Sequence, residues 1–191
     1  MADMAVQIVD HDAQWREKFA QQRDLLSLTL GSWLAAPIEH VGSTAVPGLA
    51  SKPIVDILAP VSSLAKAHLA VPILQAAGWL FWPSDPNRSW RLWFLRPRPE
   101  ARTHHLYLIE QDDLHIRELR VFRDLLRSQP ELSQRYGLLK HRLAQTHRDD
   151  REAYTVAKRQ FVESALRGAG VEPQPRPQTD NAEDRCQSGG L

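Results

Sequence analysis

The chain carries a single cysteine, Cys186, close to its C-terminal end. One thiol excludes an internal disulfide framework and a zinc site built from several cysteines, and it suits a reducing compartment. Charge of one sign is equally scarce. The 24 Lys and Arg residues against 23 Asp and Glu leave a formal net charge of +1, which argues against nucleic-acid binding through bulk charge while leaving room for a local basic patch. Long apolar runs are missing, and Met1-Ala2-Asp3-Met4-Ala5 shows no basic region followed by an apolar stretch. No segment is long enough to cross a bilayer, so a soluble cytoplasmic protein is expected. Three common motifs are absent too. Gly42 to Gly48 is followed by Leu49 and not by the Lys-Ser/Thr pair of a P-loop, no dinucleotide fingerprint occurs, and Ser43 lacks the glycine two residues on that a nucleophile elbow needs. There is no internal repeat.

What is present suffices for one domain: 191 residues with 42% apolar content build a single core and leave a tail. Ala5 to Val9 alternates as a short strand, and Asp10 or Asp12 can cap a helix with Trp15, Phe19 and Leu26 on its apolar face and Gly31 at its end. Ile38 to Val41 and Pro53 to Val61 read as strands. Ser62-Ser63 caps an Ala- and Leu-rich run to Ala77, stopped by Gly78 and divided by Pro72 into a kinked helix or two short ones. Trp79 to Trp82, Trp90 to Leu95 and His104 to Ile109 are further strands, and their turn-rich connections suggest antiparallel pairing. From Asp112 onward the period becomes helical, with apolar faces at Leu119, Phe122 and Leu126, then Leu132, Tyr136, Leu139 and Leu143, then Tyr154, Phe161, Ala165 and Leu166. Pro130 separates the first two. The pattern predicts an α/β domain over residues 1–170, a mixed β-sheet flanked by helices with a C-terminal helical block. Pro173, Pro175, Pro177 and Gly189-Gly190 in a polar context predict a disordered tail over 171–191.

One stretch organises the rest: His40-Val41-Gly42-Ser43-Thr44-Ala45-Val46-Pro47-Gly48-Leu49-Ala50-Ser51-Lys52-Pro53-Ile54-Val55-Asp56-Ile57. A strand end, a Gly-Ser-Thr turn, a small-residue loop, a lysine and a second strand with one central carboxylate are more than packing requires. Glycine lets backbone approach a ligand, the hydroxyls and amides of Ser43 and Thr44 can hold anionic oxygens, and Lys52 is a mobile charge suited to phosphate. Alternation puts Ile54, Asp56 and Leu58 on one face, so Asp56 is a lone charge in an apolar run. It is either a metal ligand or a structural aspartate hydrogen-bonded to the Gly42 turn.

This run closely resembles the signature of the GrpB family, whose members are assigned to the nucleotidyltransferase superfamily and mostly lack a proven reaction. Upstream Ile8-Val9-Asp10 and Trp15 extend the likeness. Downstream it continues through His104-His105-Leu106, Phe122-Arg123-Asp124, Tyr136, Leu139-Lys140, Arg151, Tyr154-Thr155 and Lys158. The resemblance implies a nucleotidyltransferase-like fold with the Gly42-Ser43 turn beside Asp56 at one end of the sheet. It further implies a nucleotide or other phosphorylated small molecule as ligand and, if catalytic, nucleotidyl transfer dependent on magnesium or manganese, with Asp56 as metal ligand. One feature departs from the superfamily pattern. Its catalytic strand carries two carboxylates separated by one residue, both facing the metals, whereas the second position here is Leu58. Glu110 is the nearest replacement. Some relatives are joined to dephospho-coenzyme A kinase, so the alternative is a non-catalytic binding or accessory module that keeps the fold.

Further site candidates follow from placement. His105 and Tyr107 share a strand face with His104 on the other; His105 is either an acid-base group at the pocket, and so catalytic with Asp56, or a buried structural histidine. The family commonly has a second histidine at the Tyr107 position. Arg151, Tyr154 and Lys158 stand at i, i+3 and i+7 on one helical face, which Lys140 and Arg123 can extend. Cations around an aromatic ring suit a phosphate with a base or sugar, although spacing alone equally describes a solvated charged face. The aromatic group Phe81, Trp82, Trp90, Trp93 and Phe94 is mostly core, with one ring available to stack on a base.

Overall fold

Five strands make one mixed sheet, ordered β1-β2-β5-β4-β3, in the computed structural model, which describes residues 5–176. They are β1 (Glu39–Val41), β2 (Val55–Val61), β3 (Leu80–Phe81), β4 (Arg91–Arg96) and β5 (His104–Glu110). Only β2 and β5 run parallel; the other three pairs are antiparallel. Central parallel strands are covered on both faces, which explains why β2 reads as a continuous apolar run broken only by Asp56.

Among the described residues there are seven α-helices: α1 (Gln14–Leu30), α2 (Leu64–Ala67), α3 (Val71–Ala76), α4 (Leu114–Ser128), α5 (Pro130–Thr146), α6 (Arg151–Ala157) and α7 (Arg159–Gly168). Asp12 accepts the amide of Gln14 at 2.8 Å, Asp113 that of His115 at 2.8 Å and Asp150 that of Ala153 at 2.8 Å, so three helix starts are satisfied by side chains. Pro72 sits in the first turn of α3, where its missing amide costs no helical bond, and a 3-10 turn over His68–Ala70 joins α2 to it.

Two apolar layers sandwich the sheet. On one face Val55, Ile57, Ala59 and Val61 pack against Trp15, Leu26 and Leu30 of α1 and against Ala67 and Leu74. On the other, Val41, Leu58 and Ile109 pack against Trp90 and Ile116. A third cluster ties Val46 and Leu49 to Leu126 of α4 and Leu132 and Tyr136 of α5. Asp56 and Leu58 therefore face the C-terminal helical block, while the odd-numbered residues of β2 face α1.

Three expectations are corrected. Ala5 to Val9 is not a strand: Val9 makes a single antiparallel bridge to Ser51, and no neighbouring strand extends that ladder. The last helical run is two helices, α6 and α7, meeting at Lys158. The described chain also remains docked beyond residue 170. Val171 is buried, and Glu118 of α4 accepts the Gln174 amide and pairs with Arg176 at 3.1 Å. The disorder expected for 177–191 lies outside the described residues. No helix among the described residues is long and apolar enough to cross a membrane.

Candidate functional site

The register of four strands brings the polar groups together. Asp56 lies opposite Val41 on β1 and beside His105 on β5, and Tyr107, two residues further, lies opposite Trp93 on β4. Asp56 Oδ1 accepts from the Tyr107 hydroxyl at 3.0 Å and stands 3.1 Å from His105 Nδ1. A carboxylate can only accept, so the imidazole presents Nδ1–H to it. Burial by itself would raise the Asp56 pKa. The bond and charge of His105, the Tyr107 hydroxyl and the Lys52 charge outweigh it and hold the carboxyl below its ordinary value. Burial lowers the pKa of His105, opposed by its bond to Asp56 and by the Asp56 charge, and burial with the Asp56 charge raises that of Tyr107, which stays a donor.

The second carboxylate oxygen determines why residue 42 is glycine. Gly42 has φ +71°, and a Cβ built there would lie 2.5 Å from Asp56 Oδ2. Asp56 thus leans on the bare turn, and its Oδ2 has no hydrogen-bond partner among the described residues. After Gly42 the chain makes a 3-10 turn over Ser43–Ala45. Arg127 of α4 clamps that turn by donating twice to the Ala45 carbonyl, at 3.0 and 2.8 Å.

Beside Asp56, between the sheet and α5 and α6, is a cavity of about 510 Å³, within the range usual for small-molecule sites. Its cationic wall comes from distant parts of the chain. Lys52 Nζ and Lys158 Nζ both stand over the Tyr154 ring, at 4.8 and 4.5 Å from its centre. Lys140 donates to the Ala50 carbonyl and, at 3.2 Å, to Ser51 Oγ, and lies over Tyr136 at 4.8 Å. Burial pulls the Lys52 pKa down to about 7, reinforced by Lys158 and Arg151, and that of Lys140 to about 7, reinforced by Lys158 and Lys52. Burial lowers Lys158 to about 8, with Asp56 opposing and Arg176 adding. Among the described residues such ammonium groups lack enough counter-charge, and an anion between them would restore it.

The opposite wall is aromatic. Arg91 is gripped by buried Asp85, Nε to Oδ2 at 2.6 Å and Nη2 to Oδ1 at 3.0 Å. Its guanidinium lies over Trp90, Trp93 and Tyr107 at 5.0, 5.5 and 4.9 Å.

Of the residues singled out in the sequence, Gly42, Ser43, Thr44, Lys52, Asp56, His105, Lys140, Arg151, Tyr154 and Lys158 all line this cavity. Arg123 does not. It pairs with Glu39 at 2.9 Å and Asp124 at 2.7 Å and donates to the His40 carbonyl at 3.3 Å, which makes it a brace of β1. The Thr44 hydroxyl is already engaged, donating to the Ile54 carbonyl at 3.1 Å with His40 Nε2 at 3.0 Å, and cannot donate to a ligand as well. Glu110 is no substitute for the missing carboxylate. It lies five residues beyond His105 on β5 and accepts the Leu64 amide at 2.8 Å. Leu58 is fully buried in apolar company. Among the described residues no three His, Cys, Asp or Glu side chains are grouped to hold a metal ion. Of the carboxylates lining the cavity, Asp85 is taken by Arg91 and Asp56 is held by His105 and Tyr107, an arrangement amid lysines and arginines that does not fit a protein-held metal pair. Sequence reasoning did not single out Arg91, Asp85, Arg102 or Arg176 for the cavity. Asp85 and Arg91 flank a turn-to-strand junction, and that spacing was the available signal.

The family model described as GrpB protein matches residues 5–167. A UPF0157 protein of Pseudomonas aeruginosa is 37% identical over 173 residues, which cover 86% of this chain and 67% of that relative. UPF0157 protein YqkA of Bacillus subtilis is 31% identical over 164 residues, 86% of this chain but 47% of the relative, so the chain spans about half the length of that protein. The crystal structure of conserved protein GrpB from Enterococcus faecalis aligns with a TM-score of 0.76 at 29% identity, covering 86% of this chain and 99% of the other.

Proposed function

This chain belongs to the GrpB family, and on that premise we propose that its cavity binds a phosphorylated small molecule, a nucleotide being the class that fits best. The observation that carries this reading is the pair of ammonium groups, Lys52 and Lys158, over the Tyr154 ring at one wall, with Lys140 beside them. Partly desolvated cations that outnumber the carboxylates around them among the described residues favour a multiply charged anion. The amides of the Gly42-Ser43 turn add donors on the same side. The Arg91-backed tryptophans supply an aromatic surface for a base, and Asp56 Oδ2 is an acceptor for a sugar hydroxyl.

Nucleotidyl transfer on a magnesium or manganese pair has less support, because Leu58 and the distant Glu110 leave Asp56 as the lone carboxylate of its strand face. His105 serves as a brace here: Nδ1 is engaged by Asp56, and its Nε2 is buried without a hydrogen-bond partner among the described residues. The reading is therefore a binding protein built on a nucleotidyltransferase-like fold.

A thermal-shift panel tests it, with nucleoside mono-, di- and triphosphates, dephospho-coenzyme A, coenzyme A and the unphosphorylated nucleosides, each with EDTA and with magnesium. Phosphorylated compounds should raise the melting temperature in EDTA, and the nucleosides should not. No shift with any phosphate, or a shift that requires magnesium, would contradict it.

A further inference from the structure

The segment after α7 carries an arginine to the cavity. Val171 is buried at the end of α7, with its amide bonded to the Leu166 carbonyl at 2.9 Å, and the chain then crosses α4. There Glu118, only 3% exposed, accepts the Gln174 amide with Oε1 and pairs with Arg176 Nη2 at 3.1 Å through Oε2. A carboxylate buried to that degree requires such partners. The Arg176 side chain remains 35% exposed and lines the same cavity as Lys158, whose pKa its charge lowers.

We propose that Arg176 is an anion-binding residue of the cavity, and that Glu118 is the positioning residue that docks residues 171–176 and aims the guanidinium. The proposal rests on the reading of the cavity as a phosphate site. A guanidinium donates through five N–H groups, so Nη2 on Glu118 leaves the rest of the fork for phosphate oxygens. Ligand binding and docking of the C-terminal segment are then one linked event.

The test is calorimetric titration of inorganic pyrophosphate, in EDTA, into the parent chain, Arg176→Gln, Glu118→Gln/Arg176→Gln, and Arg16→Gln as an exposed charge-loss control outside the cavity. The double variant removes both charges and so avoids leaving Glu118 buried and unpaired. Arg176→Gln and the double variant should each bind roughly tenfold more weakly than the parent, the loss expected for one charged hydrogen bond, while Arg16→Gln binds as the parent does. If the parent binds and both Arg176 variants match Arg16→Gln, the proposal is overturned and the cavity reading stands. A parent that binds no pyrophosphate overturns both. Hydrogen exchange reads the docking without ligand: the Gln174 amide should be protected in the parent and lose protection in Glu118→Ala, and a Gln174 amide unprotected in the parent also overturns the proposal.

Discussion

Asp56 shows what a single residue does and does not disclose. Its place on an apolar strand announced that it needed a partner, and alternation placed it on the face of Leu58. The identity of the partner was not legible, because His105 and Tyr107 lie 49 and 51 residues away and reach it only through the parallel register of β2 and β5. Two readings were open, metal ligand or brace on the Gly42 turn. In the structure the carboxylate is fixed by side chains of β5 and rests against the bare Gly42 backbone. Asp56→Asn keeps the shape but turns one acceptor oxygen into a donor amide and removes the charge. It should destabilise the protein by about 1–3 kcal/mol, equally in EDTA and in magnesium, as read by urea unfolding. A neutral effect, or a loss seen only with magnesium, would favour the metal reading.

At the scale of elements the period changes in the sequence were sufficient for most of the fold. Strand and helix order, the break at Pro72 and the split at Pro130 all appear, because each depends on residues within a turn or two of one another. Ala5 to Val9 failed because alternation states only that a segment could pair, not that a neighbour exists. Arg123 was misread for a related reason. Arg120, Arg123 and Arg127 stand at i, i+3 and i+7, the same spacing as the cavity residues of α6, yet two of them hold Glu39 and the third holds the Ala45 carbonyl. Spacing identifies a shared face; only the fold decides what the face meets. Arg127→Gln should cost about 1 kcal/mol, the net worth of an ordinary hydrogen bond at a partly exposed site, and should speed hydrogen exchange at the Ala45 and Val46 amides of the turn. Unchanged exchange there would show that the turn does not depend on α4.

For the whole molecule, a net charge of +1 conceals a cavity in which Lys52, Lys140 and Lys158 converge from three parts of the chain. Composition could not reveal this, since most of the balancing carboxylates among the described residues lie elsewhere, and Lys52 meets Lys158 only when α6 closes over the loop before β2. The lysine pKa values give the most direct test. A lysine whose pKa is lowered carries its charge only below that lowered pKa, so raising the pH through about 7 for Lys52 and about 8 for Lys158 strips these two lysines of charge. The phosphates of ATP are already ionised in that range, so ligand charge cannot explain a loss of affinity. The decisive measurement is calorimetric titration of ATP in EDTA at about pH 7 and about pH 9, on the parent and on Lys52→Gln/Lys158→Gln. The account predicts binding with proton uptake by the parent at the lower pH, at least roughly tenfold weaker binding at the higher, and little binding by the double variant at either. Equal affinity at both pH values, or a double variant that binds as the parent does, would contradict it.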